Sequence, residues 1–279
     1  MIVITGATGT VGSELVRLLV DGGSAVRAVT RTPGKTRFDP AVEVVAGDLD
    51  QPDSLTAAFD GAERVFVLVP GHDTSHDHAV VDAARRAGVA HLVRLSTTGV
   101  EFGATDPIST GHRAGERVLA KAGLPWTVLR PGTFMSNLLG SAETIRAERA
   151  LHVTEDPPVS AMIHPRDIAA VAALVLTTPG HEGRTYPLTG GAALTAQQQA
   201  EVIGEVLGHP ITVVERTAAQ TRADFERRGW GGHWVDELFE IKRQAAAWDW
   251  RVFDTVERLT GTPPRTLREW VTENAARLR

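Results

Sequence analysis

Gly6, Gly9 and Gly12 stand three residues apart in VITGATGTVGSELV (residues 3–16), between an apolar strand pattern and an amphipathic helix pattern. Each glycine suits a separate task at a bound pyrophosphate: the first permits the tight turn, the second a close backbone approach, the third close packing of helix on strand. The helix that follows would turn unpaired N–H groups and the positive end of its dipole toward the phosphates. With Thr8, Thr10 and Val11 between them, the glycines form a GxxGxxG cradle for a dinucleotide. Their place, between a first strand and a first helix, makes this more than a glycine-rich turn.

The end of the second strand, AVRAVTR, bears on which dinucleotide. A site for NAD carries Asp or Glu there, to accept from the ribose 2′-hydroxyl. Here the place holds Thr30 and Arg31, with Lys35 and Arg37 close behind. A cationic pocket of this kind suits the 2′-phosphate of NADP, which predicts NADPH in preference to NADH. Asp48 and Leu49 are placed to flank the adenine. Val69 and Pro70 end the fourth strand, Ser96 and Thr97 the fifth, and Arg130, Pro131 and Gly132 the sixth; of these Val69, Pro70, Ser96, Thr97 and Pro131 are expected to border the cofactor. Thr98, Phe134, Asn137 and Trp230 are expected to face the substrate. GHDTSHDHAV (71–80) gathers His72, Asp73, His76, Asp77 and His78, but its position after a strand reads as a helix-capping loop beside the cofactor, with no metal.

These residues need a scaffold, and the chain supplies one. Strand patterns near 2–5, 25–29, 42–46, 64–69, 92–96 and 126–130 alternate with helix patterns near 10–22, 52–60, 76–87 and 109–123. Nearly continuous apolar runs such as VFVLVP fit strands covered on both faces, and Gly22, Gly23, Gly61, Gly88 and Gly123 mark the helix stops. The expected fold is α/β: a Rossmann-type doubly wound parallel sheet with a smaller C-terminal substrate lobe. Residues 1–150 form the dinucleotide-binding core, 160–190 return to it, and 191–279 build a mainly helical lobe. In that later part a helix is expected over 134–149, a Pro-rich joint over 155–160, then a short strand and a helix from Asp167. RTYPL and ITVVE read as further strands around a helix capped by Thr195. The tail tryptophans 230, 234, 248, 250 and 270 are expected in the lobe core.

The 279 residues carry a formal net charge of -5 and no cysteine. The balance argues against nucleic acid and membrane surfaces as partners. The missing cysteines remove thiolate chemistry and suit a reducing cytoplasm, as does the absence of a leader pattern before the first strand. The uncharged stretch from Ile168 to Gly180 is shorter than the roughly 20 residues a spanning helix needs. It reads as a buried core helix.

TGATGTVG, Arg31, GDL (47–49), AARRAGVAHLVRLST (83–97), GLPWTVLRPGTF (123–134), HPRDIAAVAA (164–173) and TGTPPRTLREW (260–270) together resemble the atypical short-chain dehydrogenase/reductases, in the NmrA-like branch. That branch holds bacterial NADPH:quinone oxidoreductases, triphenylmethane-dye reductases and NAD(P)H azoreductases, alongside non-catalytic redox sensors. The resemblance implies an NAD(P)-binding fold and a small-molecule acceptor, and it allows a homodimer built on the helices at 76–87 and 109–123. Within the superfamily a YxxxK pair donates the proton and orients the nicotinamide ribose; here its positions hold Ile108 and His112. Tyr186, the only tyrosine, lies far downstream and reads as lobe packing.

Reduced nicotinamide can still pass hydride to a quinone-like or other conjugated acceptor, whose anion collects a proton from water, so catalysis would rest on positioning. The resemblance to quinone reductases, which carry a similar His and Glu with three residues between them, singles out His112 with Glu116. His112 is the candidate catalytic residue, to orient ribose or acceptor, with general acid as a second role. Asp167 in HPRD is expected to cap its helix, beside His164. Two other functions stay open: a regulatory protein that senses NADP(H) without turnover, and a secondary-metabolite reductase or isomerase.

Overall fold

Seven short runs, most of them rich in Val, Ile or Leu, align as a parallel sheet in the computed structural model, which describes residues 1–70, 74–155, 157–227, 229, 231–245 and 251–279. The elements run β1 (Ile2–Ile4), α1 (Gly12–Asp21), β2 (Val26–Thr30), β3 (Glu43–Ala46), α2 (Pro52–Ala58), β4 (Arg64–Leu68), α3 (Ser75–Arg86) and β5 (His91–Leu95). They continue with α4 (Thr98–Glu101), α5 (Pro107–Ala120), β6 (Trp126–Pro131), α6 (Ala142–Glu148), β7 (Ala150–Thr154), α7 (Pro165–Thr177) and β8 (Arg184–Leu188). Last come α8 (Ala196–Leu207), β9 (Thr212–Arg216), α9 (Ala218–Arg227), α10 (Gly232–Ala245), α11 (Thr255–Thr260), α12 (Leu267–Glu273) and α13 (Ala275–Leu278).

The sheet order is β3-β2-β1-β4-β5-β6-β8, every pair parallel. The order reverses between β1 and β4, the switch point at which such sheets open a crevice at the strands' carboxyl ends. All the strand-end residues singled out above therefore meet along one edge. One face of the sheet is covered by α1, α7 and α11, through Leu15, Leu19, Ile168, Val171, Val175 and Val256. The other is covered by α2, α3 and α5, through Leu55, Val80, Ala84 and Leu119. Each fully buried Leu, Ile or Val contributes about 1.5–3 kcal/mol of transfer free energy. The stretch from Ile168 is a core helix, and no described helix is long and apolar enough to cross a membrane.

Local choices agree with this packing. At Gly88, φ is +68°, and the Gly88 and Val89 amides return to the carbonyls of Arg85 and Ala84 at 3.2 and 2.9 Å. This is the Schellman closure that a left-handed glycine allows. Thr195 and Gln198 form a reciprocal capping box at the start of α8, as expected of Thr195.

Four expectations need correction. The helix over 134–149 begins as a 3₁₀ stretch, Met135–Ser141, and only then becomes α6. A strand, β7, follows immediately and pairs in parallel with β9 in a separate two-stranded sheet. The junction was hidden because α6 stops on Arg149, left-handed at φ 52° without a glycine. In place of a short strand before α7 there are single bridges, Phe134 to Ile163 and Ser160 to Leu194. Tyr186 belongs to β8 in the main sheet rather than to lobe packing, and its hydroxyl lies 2.8 Å from Nδ1 of His181.

Beyond β8, a third cluster joins Ile145, Leu151, Ile203, Leu207, Leu267 and Val271 with Trp270, which is 3% exposed. Trp270 is thus buried in this third cluster. Trp230, Trp248 and Trp250, and the side chain of Trp234, lie outside the described residues, as do His72 and Asp73.

Candidate functional site

Gly6 turns the chain out of β1 at φ +63°, and the Gly9 amide closes back on its carbonyl at 2.9 Å. A Cβ on Gly12 would stand 2.2 Å from that same carbonyl oxygen and 2.9 Å from Cα of Ala7, so only glycine fits where α1 meets the loop. Val11, at the N-cap of α1, makes no side-chain capping bond, while Gly9 and Thr10 are exposed beside it. No side chain caps the first turn of α1, although the Ser13 amide is taken by the Gly9 carbonyl at 3.0 Å; a helix N-terminus at the switch point suits a multiply charged oxyanion. Thr5 fixes the loop from below, its hydroxyl accepting the Leu68 amide of β4 at 3.1 Å.

Arg31, Lys35 and Arg37 are all exposed just past β2, and none has an ion-pair partner among the described residues. Asp48 is half-buried in the turn after β3, its Oδ1 accepting the Asp50 amide at 3.2 Å, and Leu49 packs against the second core cluster. Val69 is buried and Pro70 exposed immediately beyond β4. His76 lies 2.7 Å from Asp50, and among the described residues no group of three or more His, Asp or Glu is placed to hold a metal.

The β5–α5–β6 corner carries two networks. In the first, Ser96 donates to Oε1 of Glu116 at 2.6 Å, and Arg130 grips the same carboxylate through Nε at 3.0 Å while reaching Glu101 through Nη1 at 2.6 Å. Burial opposes the charge on Arg130, but its bonds and attraction to Glu116 and Glu101 outweigh that and raise its pKa above the usual arginine value. In the second, Arg94 of β5, 1% exposed, pairs with Asp77 of α3, 4% exposed, and its Nη1 lies 3.0 Å from Nδ1 of His112. His112 and Glu116 stand one turn apart on α5, so both networks meet on one helix face, with Ile108 a turn earlier.

Thr97 caps α4 by accepting the Gly99 amide at 3.3 Å, and Thr98 is buried in the first turn of that helix. Pro131 is buried at the end of β6; Phe134 is half-buried against the first core cluster. Asn137 is exposed and lines a cleft of about 480 Å³ with Thr10, Glu14, His164, Arg166 and Trp270. Trp230, the remaining substrate candidate, is outside the described residues.

Two readings change. His164, not Asp167, caps α7: its Nδ1 accepts the Arg166 amide at 3.0 Å. Asp167 instead accepts the Arg265 amide at 2.8 Å and the Arg265 guanidinium, tying α7 to the tail before α12; burial pushes its pKa up against the pull of Arg265. Asp77, read as part of a capping loop, is instead the buried counter-charge of Arg94. Sequence reasoning missed that pair. The available signal was an arginine inside the apolar run HLVRL, since a buried guanidinium requires an anion.

The NAD(P)H-binding family profile matches residues 6–179. The chain is 40% identical over 288 residues to the (4-alkanoyl-5-oxo-2,5-dihydrofuran-3-yl)methyl phosphate reductase of Streptomyces griseus, spanning 99% of this chain and 98% of that one. It is 36% identical over 284 residues to the NAD(P)H azoreductase of Xenophilus azovorans, spanning 99% and 98%. The NADPH-bound structure of the NADPH-dependent quinone oxidoreductase from Escherichia coli superposes with a TM-score of 0.85 at 28% identity, over 98% of this chain and 99% of that one. With the glycine cradle in place at the switch point, the chain belongs to the NAD(P)H-binding family, in its NmrA-like branch of atypical short-chain dehydrogenase/reductases.

Proposed function

We propose that the protein is an NADPH-dependent reductase that delivers hydride to a quinone-like or similarly conjugated small-molecule acceptor, without a tyrosine proton donor. The observation that carries this reading is the separation of the chain's one tyrosine from the cofactor edge. Tyr186 sits within β8 with its hydroxyl on His181, before the amino end of that strand, while Ile108 and His112 share a face of α5 with Glu116, to which Ser96 donates. A ketone needs a proton as its alkoxide forms; a quinone does not, because conjugation stabilises its anion until water protonates it.

Reduced nicotinamide supplies the hydride when the dinucleotide is bound. The chain's own residues supply the rest. Gly6, Gly9 and Gly12, with Thr8, Thr10 and Val11, hold the pyrophosphate, and Arg31, with Lys35, takes the 2′-phosphate. Asp48 and Leu49 border the adenine, and Val69, Pro70, Ser96, Thr97 and Pro131 border the nicotinamide side. His112 orients the ribose or the acceptor; Thr98, Phe134 and Asn137 line the acceptor's side. Relatives named for azo, quinone and oxo-dihydrofuran substrates all act on electron-poor conjugated systems, which supports this acceptor class.

The test is steady-state oxidation of NADPH by the full-length protein against a panel of quinones, azo dyes and unsaturated lactones, beside calorimetric binding of NADPH. Turnover with at least one conjugated acceptor, and none with simple ketones, is the expected result. Tight NADPH binding with no turnover across the panel overturns it in favour of a sensor.

A further inference from the structure

Resting on the reading that this face of α5 is the reactive one, we infer that the buried Arg94–Asp77 pair is a positioning device: it holds His112 as the Nε2–H tautomer, a fixed hydrogen-bond donor to a lone pair on the acceptor or ribose.

The inference starts from the donors of Arg94. Its Nε and Nη2 are given to the two carboxylate oxygens of Asp77, at 2.7 and 3.3 Å. Its Nη1 serves the Leu95 carbonyl at 3.2 Å and Nδ1 of His112 at 3.0 Å. A guanidinium has donors only and keeps its charge in proteins. Nδ1 must therefore present its lone pair, and the proton of the neutral ring sits on Nε2. Protonating Nδ1 would turn an N–H against an N–H and set a second cation against the first. His112 thus serves as a donor, and the role of general acid through an imidazolium does not suit it. The acceptor's proton then comes from water after hydride arrives.

The surroundings are shaped for this pair. Gly115, inside α5, leaves the space it occupies: a Cβ there would lie 2.4 Å from Nη2 of Arg94 and 2.4 Å from Oδ2 of Asp77. Glycine within a helix and a charge pair buried in a sheet each carry a stability cost, and an apolar pair of the same volume often serves stability as well or better. Stability alone therefore does not account for Arg94. What the pair provides, and an apolar pair would not, is a directed N–H on His112. Asp77 fixes the guanidinium in its plane, so the direction is set by two anchored oxygens.

The experiment combines a spectrum with turnover, on the full-length protein with its histidines labelled with ¹⁵N. Long-range ¹H–¹⁵N correlation, with the His112 signals assigned by their loss in His112→Gln, is expected to show an unprotonated Nδ1 and a protonated Nε2. The double variant Arg94→Met/Asp77→Leu should fold, since the apolar pair fills the same space. It is expected to show a mixed tautomer, to bind NADPH within about threefold of the parent, and to lose kcat by about tenfold with menadione, the value of one directed hydrogen bond. His112→Gln, which keeps a donor near the Nε2 position, should retain about tenfold more kcat than His112→Asn, which does not. A protonated Nδ1 in the parent overturns the inference whatever the turnover, as does parental kcat in the double variant. Parental kcat in His112→Ala, with the Nε2–H tautomer present in the parent, instead overturns the reading of this face as reactive, and the spectrum tells the two failures apart.

Discussion

Arg130 donates to both carboxylate oxygens of Glu116, through Nε at 3.0 Å and Nη2 at 2.5 Å, while Ser96 donates to the same carboxylate at 2.6 Å. The hydroxyl that ends β5 and the guanidinium that ends β6 are thus locked to one turn of α5. In Glu116→Gln the amide N–H₂ faces a donor of Arg130 whichever way it is turned, and Glu101 is the carboxylate that still pairs with Arg130. Bonds of this charged, partly buried kind are worth about 2–3 kcal/mol, so the melting temperature should fall by about 3–5 °C. NADPH affinity should change by less than about threefold, because the phosphate cradle is a separate structure. Thermal denaturation and cofactor titration check both halves; an unchanged melting temperature would contradict the lock.

Arg31 is exposed and carries no ion pair among the described residues, so its charge is available to a ligand. Arg31→Asp removes a charge-assisted bond to the 2′-phosphate and sets a carboxylate against it. About 2–3 kcal/mol is lost, weakening NADPH by about 30- to 150-fold. NADH lacks that phosphate and should change by less than about threefold. Fluorescence titration of the two cofactors distinguishes this from general damage, which would weaken both alike.

The cradle was legible because glycine is itself the stereochemical statement: at Gly12 no other side chain fits, so the residue type carries the geometry. The strands were legible because runs such as β1 and β4 are covered on both faces and so read as nearly continuous apolar sequence. The Arg94–Asp77–His112 contact was not, because its members come from β5, α3 and α5 and meet only in the folded chain. The same holds for β7, whose partner β9 lies about sixty residues on and whose start follows a helix stop without glycine. At His164 and Asp167 the composition was right and the roles were exchanged, since either side chain can cap a helix and only the position of Arg265 decides.

His91 gives the protein an acid-sensitive stability. Thr127 donates its hydroxyl proton to the His181 carbonyl at 2.5 Å, so His91 must donate through Nε2 to the Thr127 oxygen at 2.9 Å. Nδ1 is left buried with no partner among the described residues, and burial lowers the pKa of His91 below its ordinary 6.5. His164 and His181 are lowered in the same direction, also by burial. Below pH 6.5 the unfolded chain binds these protons and the folded chain does not, so stability is full above that pH and falls as the solution is acidified toward the folded-state values. Melting temperature should therefore drop between neutral pH and about pH 5, and His91→Gln, which keeps the donor and cannot titrate, should flatten the slope. An identical slope in the variant would remove His91 from the account.

Asp167 is 2% exposed in the first turn of α7, and its carboxylate accepts both the amide and the guanidinium of Arg265. Arg265 directly precedes Thr266, the N-cap of α12, whose Trp270 and Val271 pack in the third core cluster. One carboxylate therefore sets where the tail helix begins relative to the sheet. In Asp167→Asn the charge is lost and one oxygen becomes a donor facing donors, at a cost of about 1.5–3 kcal/mol. That cost should be local, because α12 is held to the core helix at this point while the sheet is held by its own strands. Hydrogen exchange is expected to quicken across residues 265–273 and to stay at the parental rate in β1, β4 and β5. Protection lost evenly across the sheet and the tail, or not lost at all, would show that Asp167 does not hold the tail.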